Sequence, residues 1–279
     1  MTTMRAGLIG SGIQGSRTPA MHMAEGKAQG FAYDYALIDT DVTPGALADL
    51  VADARAKGFA GLNITHPYKQ AVMPLLDTLD DDAAAFGAVN TVVFGDGRSK
   101  GYNTDWSGFS ESLRRGLPGA DLGRVVQLGA GGAGSAVAYA LLKRGAASLT
   151  IFDNDQARAR DLATRMAGIF PQARVAAGED LAGAMASADG LVNCTPVGMA
   201  KYPGTPLPVD LLDARLWVAD VVYFPLETAL LRVARALGCR TVDGGGMAVF
   251  QAVDAFRLIT GLEPDAERML AGFRAMVAV

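Results

Sequence analysis

Short apolar runs alternate with longer helical patterns along almost all of the 279-residue chain, and this alternation constrains the fold most. Runs such as RAGLIG (5–10) and GLNIT (61–65) have the length and composition of buried strands. The segment PGALADLVADARAKG (44–58) has apolar residues at helical spacing and ends at Gly58. Strands separated by helices of this length indicate βαβ units, so we expect an α/β protein with a mainly parallel sheet.

The strand patterns fall into two series. A helix over 18–29, capped by Thr18 with Pro19 at its first position, belongs to the first series. The predicted strands of the first series are 5–10, 34–39, 61–65 and 88–94, and those of the second are 124–132, 148–153, 190–195, 216–223 and 239–244. After Gly246 the pattern is purely helical.

The segment 103–123 separates the two series and contains a Gly/Pro turn, so we place a domain boundary there. A chain of this length is expected to form two domains, at about 150 residues each. We predict a first domain over 1–106, a second over 107–246, and closing helices over about 247–279 that return to the first domain.

Composition excludes several classes of function. Half of the residues are hydrophobic, and 25 Lys+Arg stand against 29 Asp+Glu, so the sequence lacks the basic stripe of a nucleic-acid binder and the apolar run of a membrane span. Cys194 and Cys239 are the only cysteines, and His22 and His66 the only histidines, which disfavours a disulfide framework and a metal site. With no signal-peptide pattern at the start, we expect a cytoplasmic protein, monomer or homodimer, that acts on a small molecule.

The pattern G-x-G-x-x-G occurs twice, at Gly10–Gly15 and at Gly129–Gly134. A dinucleotide needs a strand, then glycines that let the backbone approach the pyrophosphate, then a helix N-terminus. The second copy meets these conditions, because an apolar strand precedes it and a helical pattern starts at its third glycine. In the first copy Ser-Arg-Thr-Pro follows the glycines, so we expect a turn there with another purpose.

The strand after the second motif ends in Asp153, about twenty residues on, where such proteins bind the adenosine ribose. A carboxylate there accepts from a 2′-hydroxyl and repels a 2′-phosphate, which favours NAD over NADP. Arg158 and Arg160 lie nearby and can pair with a phosphate, but their pattern is that of exposed helix charges.

Polar residues collect where the strands of the first series end. Because the carboxyl ends of parallel strands meet at one edge of a sheet, we expect these side chains to form a single pocket facing the cofactor domain. A pocket of this kind suits a small molecule with several hydroxyls and an anionic group. The residues placed there are Ser16, Thr18, Asn63, Thr65, Lys69, Asn90, Asn103 and Asp105.

Several motifs, in order along nearly the whole chain, resemble the shikimate dehydrogenase family. They are IQGSRTPAMH, GLNITHPYKQAV, GAVNTV, NTDWSGF, LGAGGAGSAVAYAL, NCTPVGM, VVYFPLETALL and GGGMAVFQAVDAFRLITG. The resemblance implies a substrate-binding domain, a Rossmann domain for the nicotinamide cofactor, and reversible reduction of 3-dehydroshikimate at its C3 ketone.

The resemblance also implies roles for individual residues. The catalytic pair is Lys69 and Asp105, Ser16 and Thr18 hold the substrate carboxylate, and Tyr223 lines its carboxylate end. Thr65, Asn90 and Gln251 match positions that bind ring hydroxyls. The implied cofactor residues are Gly129, Ala130, Gly131, Gly132, Ala133, Gly134, Asp153, Thr195, Pro196, Val221 and Gly246.

Three departures bear on cofactor and substrate. The biosynthetic branch usually has serine where this chain has Thr18, and an NADP clamp where this chain has FDNDQ with Asp153 and Asp155. Both differences resemble the NAD-dependent quinate/shikimate dehydrogenases. The bare glycines 244–246 leave the substrate range open between shikimate, quinate and an aminoshikimate-type analogue.

Hydride transfer to a ketone builds negative charge on oxygen, and the ammonium of Lys69 is suited to stabilise that charge and to move the proton. Asp105 either orients Lys69 or shares the proton with it as a coupled pair. A non-catalytic dinucleotide-sensing regulator on the same fold would be expected to lack one of these two residues, and both are present. We expect His66 on a rim turn, His22 packed or capping, and the carboxylates of 77–86 at a solvated helix start.

Overall fold

The computed structural model describes residues 3–277, and within them the chain forms two compact units. The first unit contains the residues up to Thr104 together with those from Val249 on, and the second contains Asp105–Ala248. The predicted bounds of the substrate and cofactor domains, after 106 and after 246, stay a prediction, because compactness alone does not assign a ligand to either unit. Residues 1, 2, 278 and 279 of the predicted segments lie outside the described residues.

In the described part of the chain the strands are β1 (Met4–Gly10), β2 (Tyr33–Asp39), β3 (Gly61–Ile64), β4 (Thr78–Leu79), β5 (Thr91–Gly95), β6 (Arg98–Tyr102), β7 (Arg124–Leu128), β8 (Ser148–Phe152), β9 (Arg174–Ala177), β10 (Gly190–Asn193), β11 (Trp217–Asp220) and β12 (Arg240–Val242). The α-helices are α1 (Thr18–Ala28), α2 (Leu47–Ala56), α3 (Asp81–Phe86), α4 (Asp105–Gly116), α5 (Gly132–Lys143), α6 (Gln156–Ile169), α7 (Leu181–Ser187), α8 (Ala229–Ala236), α9 (Gly244–Thr260) and α10 (Ala266–Val277). Short 3₁₀ turns cover Met73–Leu75 and Val209–Leu211.

The first unit contains a six-stranded sheet in the order β2-β1-β3-β5-β6-β4. β1 pairs in parallel with β2 and β3, as expected, whereas β5 is antiparallel to both β3 and β6. The sequence analysis missed β6, which returns from β5 through Asp96 and Gly97, both with positive φ. Such Asp-Gly pairs favour two-residue hairpins, because both turn positions need left-handed backbone.

Alternation along β1 divides the core of this unit between two faces of the sheet. Ile9 packs in a cluster with Val51 and Ala54 of α2, and Ala6 and Leu8 pack in another with Phe256 of α9. The helix α1 begins at Thr18. The prediction that Thr18 caps this helix is wrong. The N-cap position is Arg17, and the N–H of Thr18 donates instead to the hydroxyl of Ser16 at 3.3 Å.

The C-terminal helices pack on the first unit, as predicted. Glu25 of α1 is 1% exposed and accepts two hydrogen bonds from the guanidinium of Arg268 on α10, at 2.8 and 2.7 Å. The N–H of Asp265 and the amide of Gln29 donate to the same carboxylate. Burial alone would raise the pKa of Glu25, but these hydrogen bonds outweigh it and hold the pKa below its usual value.

The second unit contains a six-stranded parallel sheet in the order β12-β11-β10-β7-β8-β9. From β7 the chain passes to β8 and β9 on one side and then to β10, β11 and β12 on the other. This arrangement is the doubly wound Rossmann order, and it places a ligand crevice at the carboxyl ends of β7 and its neighbours. The α/β fold class and the Rossmann unit are therefore confirmed, although the sequence analysis did not predict the short edge strand β9.

Candidate active site

Segments that carry the predicted substrate residues lie at one edge of the first sheet. In the strand register, Gly10 at the end of β1 lies opposite Asp39, and Ile9 lies opposite Ile64 at the end of β3. The antiparallel strand β5 begins at Thr91, opposite Asn63, and β6 ends opposite Thr91. The predicted substrate residues on the segments at this edge are Ser16, Thr18, Thr65, Lys69 and Asn90.

Sequence reasoning placed Asn90 inside a strand over 88–94, but that strand begins only at Thr91. Asn90 therefore reaches this edge as the residue before an antiparallel strand and not at the end of a parallel one. Because the sheet is mixed, the start of β5 lies at the same edge as the end of β3.

The loop after β1 is organised by Asp39, which sequence reasoning did not single out. Asp39 is 2% exposed, and its carboxylate accepts hydrogen bonds from the N–H groups of Gly12 and Ile13 and from the amide of Gln14, each at 3.0 Å. Burial would raise the pKa of Asp39, but these bonds and one from the N–H of Asp41 lower it. Two N–H groups of the first glycine motif, those of Gly12 and Ile13, are thus occupied by a protein carboxylate.

The loop after β3 holds Lys69 through its backbone. The N–H of Thr65 donates to Ile9 O at 2.9 Å, and Lys69 O accepts from the N–H of Val89 at 2.8 Å. Lys69 itself is partly buried, between the end of β3 and the start of β5. His66 is exposed, which agrees with its predicted place on a rim turn.

A buried network of amides and hydroxyls continues from this loop. Asn90 is 3% exposed; its Oδ1 accepts from the N–H of Thr104 at 2.7 Å, and its Nδ2 donates to the Thr104 hydroxyl at 3.0 Å. Asn63 donates to the Thr91 hydroxyl and accepts from the Tyr35 hydroxyl at 2.7 Å. Asn63, which we expected in the pocket, is thus 4% exposed and engaged inside the sheet.

The remaining predicted substrate and catalytic residues divide between the two units. Gln251 is partly buried on α9, in the first unit. Asp105 is 8% exposed and is the first residue of α4, in the second unit. Tyr223 is 47% exposed and follows β11 in the second unit.

The second glycine motif forms the turn between β7 and α5. Gly129 has φ +98° and lies against the backbone of Cys194, and a Cβ on Gly134 would lie 2.2 Å from Gly129 O. At Gly131 and Gly132, by contrast, a Cβ would meet no atom within 4 Å. Open space therefore lies over the loop at the N-terminus of α5, and this loop fits the pyrophosphate of a dinucleotide.

Two buried or half-buried side chains hold this loop. Gln127, fully buried on β7, donates to Gly129 O and to Gly134 O, each at 2.9 Å. Asp153 accepts from the N–H of Ala130 at 2.7 Å and from the N–H of Asp155 at 2.9 Å. Asp153 was predicted from its position in the sequence, whereas Gln127 was missed.

Asp155 and Arg158 lie beside Asp153. Asp155 caps α6 by accepting from the N–H groups of Ala157 and Arg158, and its carboxylate lies 3.3 Å from Nε of Arg158. Arg158 is therefore a surface charge paired within its own helix.

The loops after β10 and β11 carry Thr195, Pro196 and Val221. Asn193, fully buried at the end of β10, accepts from the N–H and the hydroxyl of Thr195, at 3.0 and 2.7 Å. Gly246, also predicted at the cofactor, lies so close to α4 that a Cβ would be 2.2 Å from the Ser112 hydroxyl. Gly246 therefore has a packing reason as well.

Other candidate sites from the sequence have structural roles. His22 is fully buried between Tyr33, Tyr35 and Phe256, and burial lowers its pKa to about 3, so it is neutral. Asp80 caps α3, so the acidic segment 77–86 includes a helix start. Within residues 3–277, no cluster of His, Cys, Asp and Glu has the arrangement to hold a metal ion, and no helix is long and apolar enough to cross a membrane.

Known proteins resemble this chain over nearly its full length. The model of the shikimate dehydrogenase substrate binding domain matches residues 8–92. A shikimate dehydrogenase (NADP(+)) of Streptomyces avermitilis is 60% identical over 270 residues, 95% of this chain and 93% of that protein. The chain belongs to the shikimate dehydrogenase family. The family and the enzyme class predicted from the motifs are confirmed.

Other relatives are named for NAD and not for NADP. A quinate/shikimate dehydrogenase (NAD(+)) of Corynebacterium efficiens is 56% identical over 277 residues, 97% of each chain. The solved quinate dehydrogenase from Corynebacterium glutamicum in complex with NAD has a TM-score of 0.94 and 51% identity, over 98% of this chain and 99% of that one. The choice between NAD and NADP therefore depends on this chain's own residues.

Proposed function

We propose that this dehydrogenase uses NAD and interconverts shikimate and 3-dehydroshikimate by hydride transfer at C3, with quinate and 3-dehydroquinate as a second substrate pair. The observation that carries the proposal is the collection of Ser16, Thr18, Thr65, Lys69 and Asn90 on segments at one edge of the first unit's sheet, in a chain of this family. That edge offers hydroxyl, amide and ammonium groups, which suit a cyclic acid with several hydroxyls.

In this proposal the hydroxyls of Ser16 and Thr18 bind the substrate carboxylate at the start of α1. Thr65, Asn90 and Gln251 bind ring hydroxyls, and Tyr223 contacts the carboxylate end. Asn90 Nδ2 already donates a hydrogen bond to the Thr104 hydroxyl. The protein therefore fixes the orientation of the Asn90 amide before substrate binds. Thr18 adds a methyl group where the biosynthetic branch usually has serine, which supports quinate as a second substrate.

Lys69 is the proposed proton-transfer residue. When bound, NAD would accept the hydride from C3 in the oxidising direction and NADH would supply it in the reducing direction. The chain's own residues would bind the oxygen on C3 and transfer its proton. In the reducing direction the Lys69 ammonium donates a hydrogen bond to the ketone oxygen and transfers a proton as negative charge develops there. In the oxidising direction the neutral amine accepts the hydroxyl proton.

Asp105 acts beside Lys69 in one of two ways. It either stabilises the ammonium electrostatically or shares the proton as a coupled pair hydrogen-bonded to the neighbouring hydroxyl. In both cases Asp105 acts from the first residue of α4.

The loop Gly129–Gly134 is the proposed pyrophosphate site, including Ala130, Gly132 and Ala133, and Asp153 the proposed partner of the adenosine ribose. Thr195, Pro196, Val221 and Gly246 are assigned to the cofactor on the nicotinamide side. NAD is preferred because Asp153 and Asp155 both follow β8 in the chain and Arg158 is already paired with Asp155. A 2′-phosphate there would face two negative charges.

We also propose a cytoplasmic location and a monomeric or homodimeric state. Both cysteines are free, and burial raises the pKa of the Cys194 and Cys239 thiols, so neither is activated for redox chemistry.

The test is the substitution Lys69→Ala. Loss of general acid–base help is expected to lower kcat for shikimate oxidation by about 100-fold or more, with NAD affinity changed less than about twofold. A stopped assay of shikimate oxidation measures kcat, and calorimetric titration with NAD measures the affinity. Lys27→Ala, an exposed lysine on α1, is the control and is expected to match the unaltered protein. Near-normal turnover by Lys69→Ala would remove Lys69 from the mechanism.

A further inference from the structure

The last residue of β11, Asp220, is a buried carboxylate outside the proposed set of substrate and cofactor contacts. It is 2% exposed, and three donors from different segments reach it. Oδ1 accepts from Asn193 Nδ2 and from the N–H of Val222, each at 3.0 Å, and Oδ2 accepts from the Thr228 hydroxyl at 2.8 Å.

These bonds join the two loops that follow β10 and β11. Asn193 uses the other hydrogen of its amide to bind Val197 O at 3.0 Å, and its Oδ1 accepts from the N–H and hydroxyl of Thr195. One carboxylate thus fixes the segment from Asn193 to Val197 through a single side chain.

On the other side, Asp220 fixes the loop that leads to α8. The N–H of Val222 binds it directly, and Thr228, which is 1% exposed, both donates to Asp220 and caps α8 by accepting from the N–H of Leu231 at 3.2 Å. The loop from 221 to 228 is therefore held at both ends.

Holding a carboxylate here is costly. Burial raises the pKa of Asp220 to about 6, the nearby charge of Asp243 acts in the same direction, and the three hydrogen bonds oppose them. A neutral side chain would avoid the desolvation cost but would not accept from three donors at once. The buried carboxylate therefore fixes the conformation of the loops at a cost in folding stability.

The position of the two loops relative to the glycine motif indicates which part of a dinucleotide they meet. The pyrophosphate loop follows β7, and Asp153 follows β8 on one side of it. The segments with Thr195 and Val221 follow β10 and β11 on the other side, beyond the point where the strand order reverses. The adenosine and nicotinamide ends of a dinucleotide lie on opposite sides of that point.

We propose that Asp220 is a positioning residue that holds the loops 193–198 and 221–228 in the conformation that binds the nicotinamide end of the cofactor. The inference rests on the proposed function, in which these loops contact NAD. Asp220 acts through Asn193 and Thr228 and does not touch the cofactor itself.

The test compares NAD with ADP-ribose, which lacks the nicotinamide, by calorimetric titration of the Asp220→Asn variant. Asparagine keeps the shape but replaces one acceptor with a donor that faces the Thr228 hydroxyl. We expect NAD binding to weaken by about tenfold, the loss of one or two hydrogen-bonded contacts, while ADP-ribose binding changes less than about twofold. Equal weakening of both ligands, or of neither, would overturn the inference.

Matched variants separate positioning from folding. Asp189→Asn changes another carboxylate that accepts from a backbone N–H, that of Arg124 at 2.7 Å, at the amino ends of the central strands β7 and β10, and should leave both affinities unchanged. If Asp220→Asn does not fold, Thr228→Val should weaken NAD selectively and Thr228→Ser should restore it; equal NAD affinity in these two variants would contradict the proposal. Failure of the proposed function would appear instead in the unaltered protein, as no NAD binding and no shikimate oxidation, and would overturn the inference with it.

Discussion

Asp39 and Asp153 hold comparable turns in the two units. Asp39 ends the second strand of the first sheet, and Asp153 follows the second strand of the other. Each accepts hydrogen bonds from N–H groups of the glycine turn that follows the first strand of its own sheet. The difference is in how many N–H groups are used: Asp39 takes two from its loop, whereas Asp153 takes one and leaves the space over Gly131 and Gly132 open.

Asp153→Asn tests the cofactor preference at this residue. Asparagine retains an acceptor for one loop N–H but loses the negative charge that disfavours a 2′-phosphate. We expect the ratio of kcat/KM with NAD to kcat/KM with NADP to fall by about tenfold, or about 1.4 kcal/mol. Initial rates with each cofactor at fixed shikimate measure the ratio.

The control for this change is Asp161→Asn, an exposed carboxylate on α6, which should leave the ratio unaltered. An unchanged ratio in Asp153→Asn would show that another feature sets the preference.

At the scale of single residues, sequence reasoning singled out groups that a local pattern marks, and their ligand roles stay predictions. The glycines of 129–134 and Asp153 are separated by one strand–helix–strand unit, so their spacing is predictive. Asp39, Gln127 and Asp220 were missed because their role depends on burial and on partners that folding brings together, such as Asn193 for Asp220. A lone Asp or Gln in a strand pattern carries no signal of that kind.

At the scale of elements, the pair of α1 and α10 depends on a buried charge. Glu25 has almost no exposed surface, whereas Arg268 is 45% exposed in its side chain. Removing the guanidinium leaves the carboxylate buried without its cation, which is more damaging than losing a surface ion pair.

Arg268→Ala is therefore expected to lower the free energy of unfolding by about 2–3 kcal/mol, with the exposure of Arg268 reducing the effect of a fully buried pair. Because the folded-state pKa of Glu25 is depressed, its contribution is present above the unfolded value of 4.5 and is lost as pH falls through the folded pKa. The difference between the two proteins, measured by urea unfolding, should shrink as the pH is lowered below 4.5.

Lys57→Ala provides the comparison, since Lys57 and Asp53 form an exposed pair on α2 worth about 0.3–0.5 kcal/mol. Equal losses in the two variants would argue against a special cost for the buried pair.

Element prediction succeeded where hydrophobic period and length agreed and failed at short strands with weak patterns. Among β1, β2, β3, β7 and β8, the predicted ends lie within about two residues of the observed ones at every end but one. The exception is the end of β7, which was predicted at 132 and lies at Leu128. β6 and β9 are short and polar or small in composition, so neither has a strong strand pattern. The Asp96–Gly97 pair was the available signal for β6, and it predicts the antiparallel return that the structure contains.

At the scale of the whole molecule, the chain builds its first unit from two separate stretches. It enters the second unit at Asp105, where α4 begins, and returns to the first within α9, whose residues from Val249 on belong to the first unit. The order of motifs along the sequence predicts this return, because a purely helical segment follows the last parallel strand. Which unit holds which ligand is a matter of chemistry and is not contained in the topology.

One measurement tests the central claim most directly: initial rates of nicotinamide reduction by the unaltered protein with shikimate or quinate, each with NAD or NADP. The account predicts turnover of shikimate with a kcat/KM for NAD that exceeds the value for NADP by about tenfold or more. A preference for NADP, or no oxidation of either acid with either cofactor, would contradict it.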